Sequence, residues 1–114
     1  MAVGTRGGRQ GRVVIRIERA PTLEELRARR AEILRIATVR GARNVRVFGS
    51  VARREARADS DVDFLVEMDP DSTVLDVSEL ILDLQEALGR EVDVVEIQQS
   101  SPLAEQIQRE AVPL

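Results

Sequence analysis

No cysteine, histidine, lysine, tyrosine or tryptophan occurs in the 114 residues, and the only aromatic side chains are Phe48 and Phe64. Each absence removes a class of chemistry. Without cysteine there are no disulfides and no zinc–thiolate sites. Without histidine there is no Ser-His-Asp or Cys-His catalysis. Without lysine all 17 basic residues are arginine. Any cation that clamps a phosphate is therefore a guanidinium, which suits bidentate contact. Two phenylalanines make a poor stacking platform, which argues against a single-strand nucleic-acid binder and against strong nucleobase selectivity. A formal net charge of −3 gives no global attraction to nucleic acid. The apolar runs are far too short to cross a bilayer. The start is rich in glycine and arginine and carries no secretory signal, so a cytoplasmic location is expected.

What is present is ordinary for one soluble domain: 43% hydrophobic and 32% charged residues. A chain of this length buries only roughly 60–70% of its unfolded surface, so the core is modest.

The informative stretch runs from Val45 to Val66. It reads as a strand (Val45–Phe48), a Gly49-Ser50 bend, a short helix from Val51 to about Arg57, and a second strand from Asp61 to Met68. Asp61 and Asp63 lie two apart, so both leave the same face of that strand, with Cα atoms ~6.6 Å apart. Magnesium prefers hard oxygen ligands and takes a couple of carboxylates beside substrate phosphates. Two like charges this close raise one carboxyl pKa unless a cation intervenes. Gly49 permits close approach of a ligand to the backbone. Ser50 adds a hydroxyl, and the N–H groups of the following turn point toward an anion. A phosphate seat beside a metal seat is the minimum for phosphoryl or nucleotidyl transfer. With 7 Gly, 6 Ser and 8 Asp in the chain, Gly-Ser followed after ten residues by Asp-x-Asp is expected by chance only about 0.002 times.

That pattern resembles the signature of the DNA polymerase beta-type nucleotidyltransferases. The wider run Phe48-Gly49-Ser50-Val51-Ala52-Arg53, with Glu55-Ala56-Arg57 and Ser60 through Val66, is similar to their small prokaryotic branch. That branch comprises the minimal nucleotidyltransferases, often antitoxins paired with a HEPN-domain toxin. The similarity runs from about Thr22 to Leu114. The resemblance implies an α/β (α+β) nucleotidyltransferase fold, a small mixed sheet with helices mainly on one face. It implies a third carboxylate in the strand Glu91–Ile97, carried to Asp93. Asp61, Asp63 and Asp93 would then hold Mg2+, two ions in all, with Asp93 also placed to take the proton of the attacking hydroxyl. Gly49, Ser50 and Arg53 would bind the phosphates of ATP. The acceptor implied is a protein hydroxyl on a HEPN-domain toxin RNase. Two alternatives stay open: a degenerate antitoxin that acts by binding alone, and a small-molecule, aminoglycoside-type nucleotidyltransferase. One departure bears on activity: the family usually has glycine where this chain has Arg54, a cost of ~1–2 kcal/mol if that residue takes positive φ.

The rest of the chain frames this unit. Residues 1–20 hold four glycines and five arginines and are expected as a basic extension, frayed over 1–11, with a possible strand at Val13–Ile17. A nucleic-acid role would rest on this arm alone. Residues 21–114 form the expected domain. Thr22 and Glu25 predict a capping box opening a helix whose stripe is Leu23, Leu26, Ile33, Leu34 and Ala37, stopped by Gly41. A second helix is expected from about Thr73 to Leu88. Its stripe is Val74, Val77, Ile81, Leu84 and Leu88, widened by Leu75, Leu80 and Leu82, and Gly89 ends it. Ser101-Pro102 opens a last helix with Leu103, Ile107 and Ala111 on one face.

Overall fold

The computed structural model describes residues 19–97 and 102–114. Residues 1–18 of the N-terminal arm, with the strand expected at Val13–Ile17, and the Ser101 cap lie outside them. The first helical stretch is two helices, α1 (Leu23–Ala28) and α2 (Arg30–Val39), meeting at Arg29. The break has a reason in the sequence: Arg30 interrupts the apolar stripe, and the kink leaves it exposed while Leu26 and Ile33 are buried. Thr22 caps α1, its hydroxyl accepting from the Glu25 N–H at 3.0 Å. The Glu25 carboxylate serves another partner: it accepts from Arg90 Nε and Nη2 at 3.3 and 3.2 Å.

Four strands follow: β1 (Ala42–Phe48), β2 (Val62–Met68), β3 (Val92–Glu96) and β4 (Val112–Pro113). Their order is β3-β2-β1-β4, with β1 antiparallel to both neighbours and β2 parallel to β3. The parallel pair needs a crossover, and α4 (Val74–Leu88) supplies it. β1 starts three residues earlier than its apolar alternation suggests. A register shift between Arg43 and Arg46, with Asn44 at φ 52°, breaks the period-two pattern. β2 starts one residue later, so Asp61 precedes the strand instead of opening it. The unforeseen β4 has two residues and one is proline, which an edge strand tolerates.

Val45, Val47, Val62, Phe64, Val66, Val92 and Val94 form the buried inner face of the sheet. They pack with Leu26, Ile33 and Ala37 of α1 and α2 and with Leu80, Leu84 and Leu88 of α4. A capping box between Thr73 and Asp76 starts α4, and Gly89 in the left-handed conformation stops it. Its buried stripe is narrower than expected: Val74 and Leu75 are 83% and 67% exposed. Between Gly49 and β2 stands the short α3 (Gly49–Ala52). After β3 comes α5 (Pro102–Glu110), which buries none of its residues although it is amphipathic. Among the described residues no helix is long and apolar enough to cross a membrane.

Candidate active site

The sheet face opposite α2 and α4 carries the acidic residues. Side chains of paired residues on neighbouring strands leave the sheet on the same side. Asp63 is opposite Phe48 of β1 and pairs with Asp93 of β3, so the two aspartates are lateral neighbours. Asp61, just ahead of β2, is exposed, as is Asp93; Asp63 is half-buried. The Asp93 Oδ1 accepts from the Val94 N–H at 3.0 Å. Asp63 is pushed up to about 6 from 3.8, first by burial and then by the charges of Asp93 and Asp61, with Arg53 opposing and Glu110 adding. Among the described residues no three acidic side chains are gathered closely enough to hold a metal ion by themselves.

The bend at Gly49 is built for this neighbour. Gly49 has φ +75°, and a Cβ added there would lie 2.2 Å from Asp63 Oδ2. Ser50, half-buried, is the second residue of α3. That helix is shorter than expected, four residues against a stretch reaching Arg57, and the reason is its C-terminus. Arg54 takes φ 62°. The Glu55 N–H reaches the Ser50 carbonyl at 2.8 Å and the Arg54 N–H the Val51 carbonyl at 3.1 Å. These two bonds are the Schellman closure of a helix, usually made with glycine at the left-handed position. Arg54 Nη1 also meets Glu24 Oε2 at 2.5 Å.

Arg53 points its guanidinium two ways. Its Nε donates to Glu55 Oε1 at 3.0 Å and its Nη1 to Glu110 Oε1 at 3.0 Å. The same Glu110 oxygen accepts from the Gly49 N–H at 3.2 Å. Glu110 was not foreseen: it stands 61 residues from Gly49 in sequence, in no motif, and only the packing of α5 brings it here. Nor was Arg46, on the same sheet face, whose Nε is buried without a hydrogen-bond partner among the described residues.

Residues 32–114 match the profile of a family described as "Polymerase beta, Nucleotidyltransferase". This chain belongs to that nucleotidyltransferase family. It is 39% identical over 82 residues to a Methanocaldococcus jannaschii protein provisionally named a protein adenylyltransferase; the match covers 71% of this chain and 88% of that one. A solved structure provisionally described as a minimal nucleotidyltransferase superposes with a TM-score of 0.73 at 50% identity, over 82% of this chain and 97% of that chain. More distantly, at 20% identity and a TM-score of 0.58, the chain shares its fold with one chain of a solved structure of a tri-AMPylated Shewanella oneidensis HEPN toxin in complex with MNT antitoxin. That match covers 76% of this chain and 69% of that chain. As a family of enzymes, nucleotidyltransferases move a nucleotide onto an acceptor, and the mixed four-stranded sheet described above is their fold.

Proposed function

We propose that this nucleotidyltransferase carries AMP from ATP to a hydroxyl of a HEPN-type toxin and so serves as its antitoxin. The observation that carries the reading is the juxtaposition of Gly49, Asp63 and Asp93: a glycine whose side-chain space is taken by a carboxylate, beside a second carboxylate one strand away. The relative named a protein adenylyltransferase supports the reaction class, and the AMPylated toxin in the Shewanella complex supports the acceptor class.

In this reading Asp61, Asp63 and Asp93 would hold magnesium only together with the phosphate oxygens of the nucleotide, since the three carboxylates are not gathered closely enough alone, and their all-oxygen donor set fits that ion. The crowding that raises the affinity of Asp63 for a proton is relieved equally by a divalent cation. Bound magnesium would offset charge on the phosphates. The Gly49 N–H, the Ser50 hydroxyl and the Arg53 guanidinium would hold phosphate oxygens. The acceptor oxygen bonds to the α-phosphorus as the bond from that phosphorus to the bridging oxygen breaks. Pyrophosphate leaves, and Asp93 takes the hydroxyl proton.

A degenerate antitoxin that only binds its partner is disfavoured by the loop itself. Arg54 adopts the left-handed conformation that the usual glycine would take, and the closing hydrogen bonds are made. The test is incubation with Mg2+, labelled ATP and a HEPN-domain protein from the same genome, read by intact-mass spectrometry. An added AMP on the partner, absent with Asp63→Asn, is the expected result. Neutralisation of the toxin with no mass change would mean the chain acts by contact alone.

A further inference from the structure

The phosphate-binding groups named above already hold an anion that belongs to the chain. One oxygen of Glu110 accepts from both the Gly49 N–H, at 3.2 Å, and Arg53 Nη1, at 3.0 Å. A backbone N–H and a guanidinium converging on one oxygen is the arrangement that a phosphate oxygen would receive in the proposed reaction. We infer that Glu110 is a tethered competitor of the nucleotide: its carboxylate occupies the Gly49–Arg53 seat and must leave before a phosphate enters. This inference rests on the nucleotide-binding reading given above and adds the regulation of that seat.

Three features make the occupancy more than a surface ion pair. The first is the anchor. Two residues beyond Glu110, β4 pairs Val112 with Val47 and Pro113 with Arg46. The Pro113 carbonyl also accepts from Arg27 Nη2 at 2.8 Å, and Leu114 is in the core. The backbone next to Glu110 is therefore tied to β1, which ends one residue before Gly49, so its carboxylate is at high effective concentration there. The second is enclosure. The Glu110 side chain is 26% exposed, less than expected of a freely solvated glutamate, yet open enough for a rotamer change to release it. The third is the division of Arg53. Glu55 neutralises one edge of the guanidinium while Glu110 takes another. Release of Glu110 alone leaves Arg53 oriented by Glu55 with Nη1 available. The exchange is thus one carboxylate for one phosphate oxygen at a preformed pair of donors, without unpairing β4.

A seat filled by its own carboxylate most of the time lowers apparent affinity by the fraction of molecules in which it is free. The test measures Mg2+–AMP-PNP binding by titration calorimetry to the wild type and to Glu110→Ala, Glu110→Gln, Arg53→Ala and the Glu110→Ala/Arg53→Ala pair. Glu105→Gln, an exposed acid on the same helix, controls for loss of charge. The melting temperature reports folding, and Glu110→Gln preserves shape if the alanine variant unfolds. Both Glu110 variants should tighten binding by about 3–10-fold. Glu105→Gln should leave it unchanged, and the gain should vanish in the Arg53→Ala background because the shared seat has gone. Unchanged or weaker binding by both Glu110 variants, with the wild type still binding, overturns the competitor and leaves the nucleotidyl-transfer reading standing. No binding by any form, Glu110 variants included, overturns both.

Discussion

Gly49 and Asp63 share one space: the position a Cβ would take on Gly49 is 2.2 Å from the Asp63 carboxylate oxygen, and Gly49 has φ +75°. Two constraints thus coincide, a backbone conformation that L side chains rarely adopt and a contact no real Cβ makes. Gly49→Ala is expected to cost about 1–3 kcal/mol of stability. It should also reduce AMP transfer by about two orders of magnitude or more, by pushing Asp63 from its place beside Asp93. Urea unfolding and the mass-spectrometric transfer assay check both; an alanine variant with wild-type transfer would mean the close approach has no catalytic use.

The proton affinity of Asp63 has a readable consequence. Its carboxyl is raised from 3.8 to about 6 in the fold, so between about pH 4 and 6 the folded chain keeps a proton that the unfolded chain has lost. The unfolded state binds fewer protons there, and stability falls as pH rises through that window. The loss is complete above about pH 7 and amounts to about 1–2 kcal/mol once partial exposure is allowed for. Metal-free Asp63→Asn should therefore be more stable than the wild type at neutral pH and lose that advantage in acid. Thermal melts across the range, without and with Mg2+, test this. Mg2+ should raise the melting temperature of the wild type at neutral pH and leave Asp63→Asn unmoved. Parallel pH profiles for the two proteins would contradict the argument.

Arg54 carries a conformational cost at a left-handed position that favours glycine. Arg54→Gly removes left-handed strain of about 1 kcal/mol, and it also removes the Glu24 pair. That pair joins side chains 59% and 64% exposed, so its loss is worth little. The variant should unfold at higher urea by about 0.5–1 kcal/mol with transfer activity retained. A destabilised Arg54→Gly would show that the Glu24 contact matters more than the backbone.

Among the described residues Arg90 is the buried cation, its side chain 2% exposed. It donates to both oxygens of Glu25 and to the Arg19 carbonyl. Arg90→Ala leaves the Glu25 carboxylate, 16% exposed, without its guanidinium and should cost about 3 kcal/mol. Adding Glu25→Leu should recover a good part of it, because two apolar groups do not demand a partner. Equal losses in the single and double variants would place the effect in packing alone.

Much of this was legible along the chain. The inner face of the sheet and helix α4 with its Gly89 stop follow from period-two and helical alternation, and the placement of Asp93 on the strand beside Asp63 is what the family resemblance implies. The elements that differ from the periodic pattern share a cause. The early start of β1, the shortened α3 and the two-residue β4 are each decided by a partner far away in sequence or by one backbone angle, neither of which leaves a periodic trace. The exposed Val74 and Leu75 show the converse: helical periodicity names the apolar residues of α4 without saying how wide a stripe the sheet can cover.

The chain's sequence alone carried the family, through the Gly-Ser to Asp-x-Asp run that resembles it, and set Asp63 on the face away from Val62 and Phe64, because strand alternation places side chains on faces before any tertiary contact forms. Only the folded structure decided which charges meet there. Glu110 enters the site from the far end of the chain, and Asp63 acquires its proton affinity from burial and from neighbours on other segments. Coulombic and desolvation effects depend on distance through space, and distance along the chain carries little record of it.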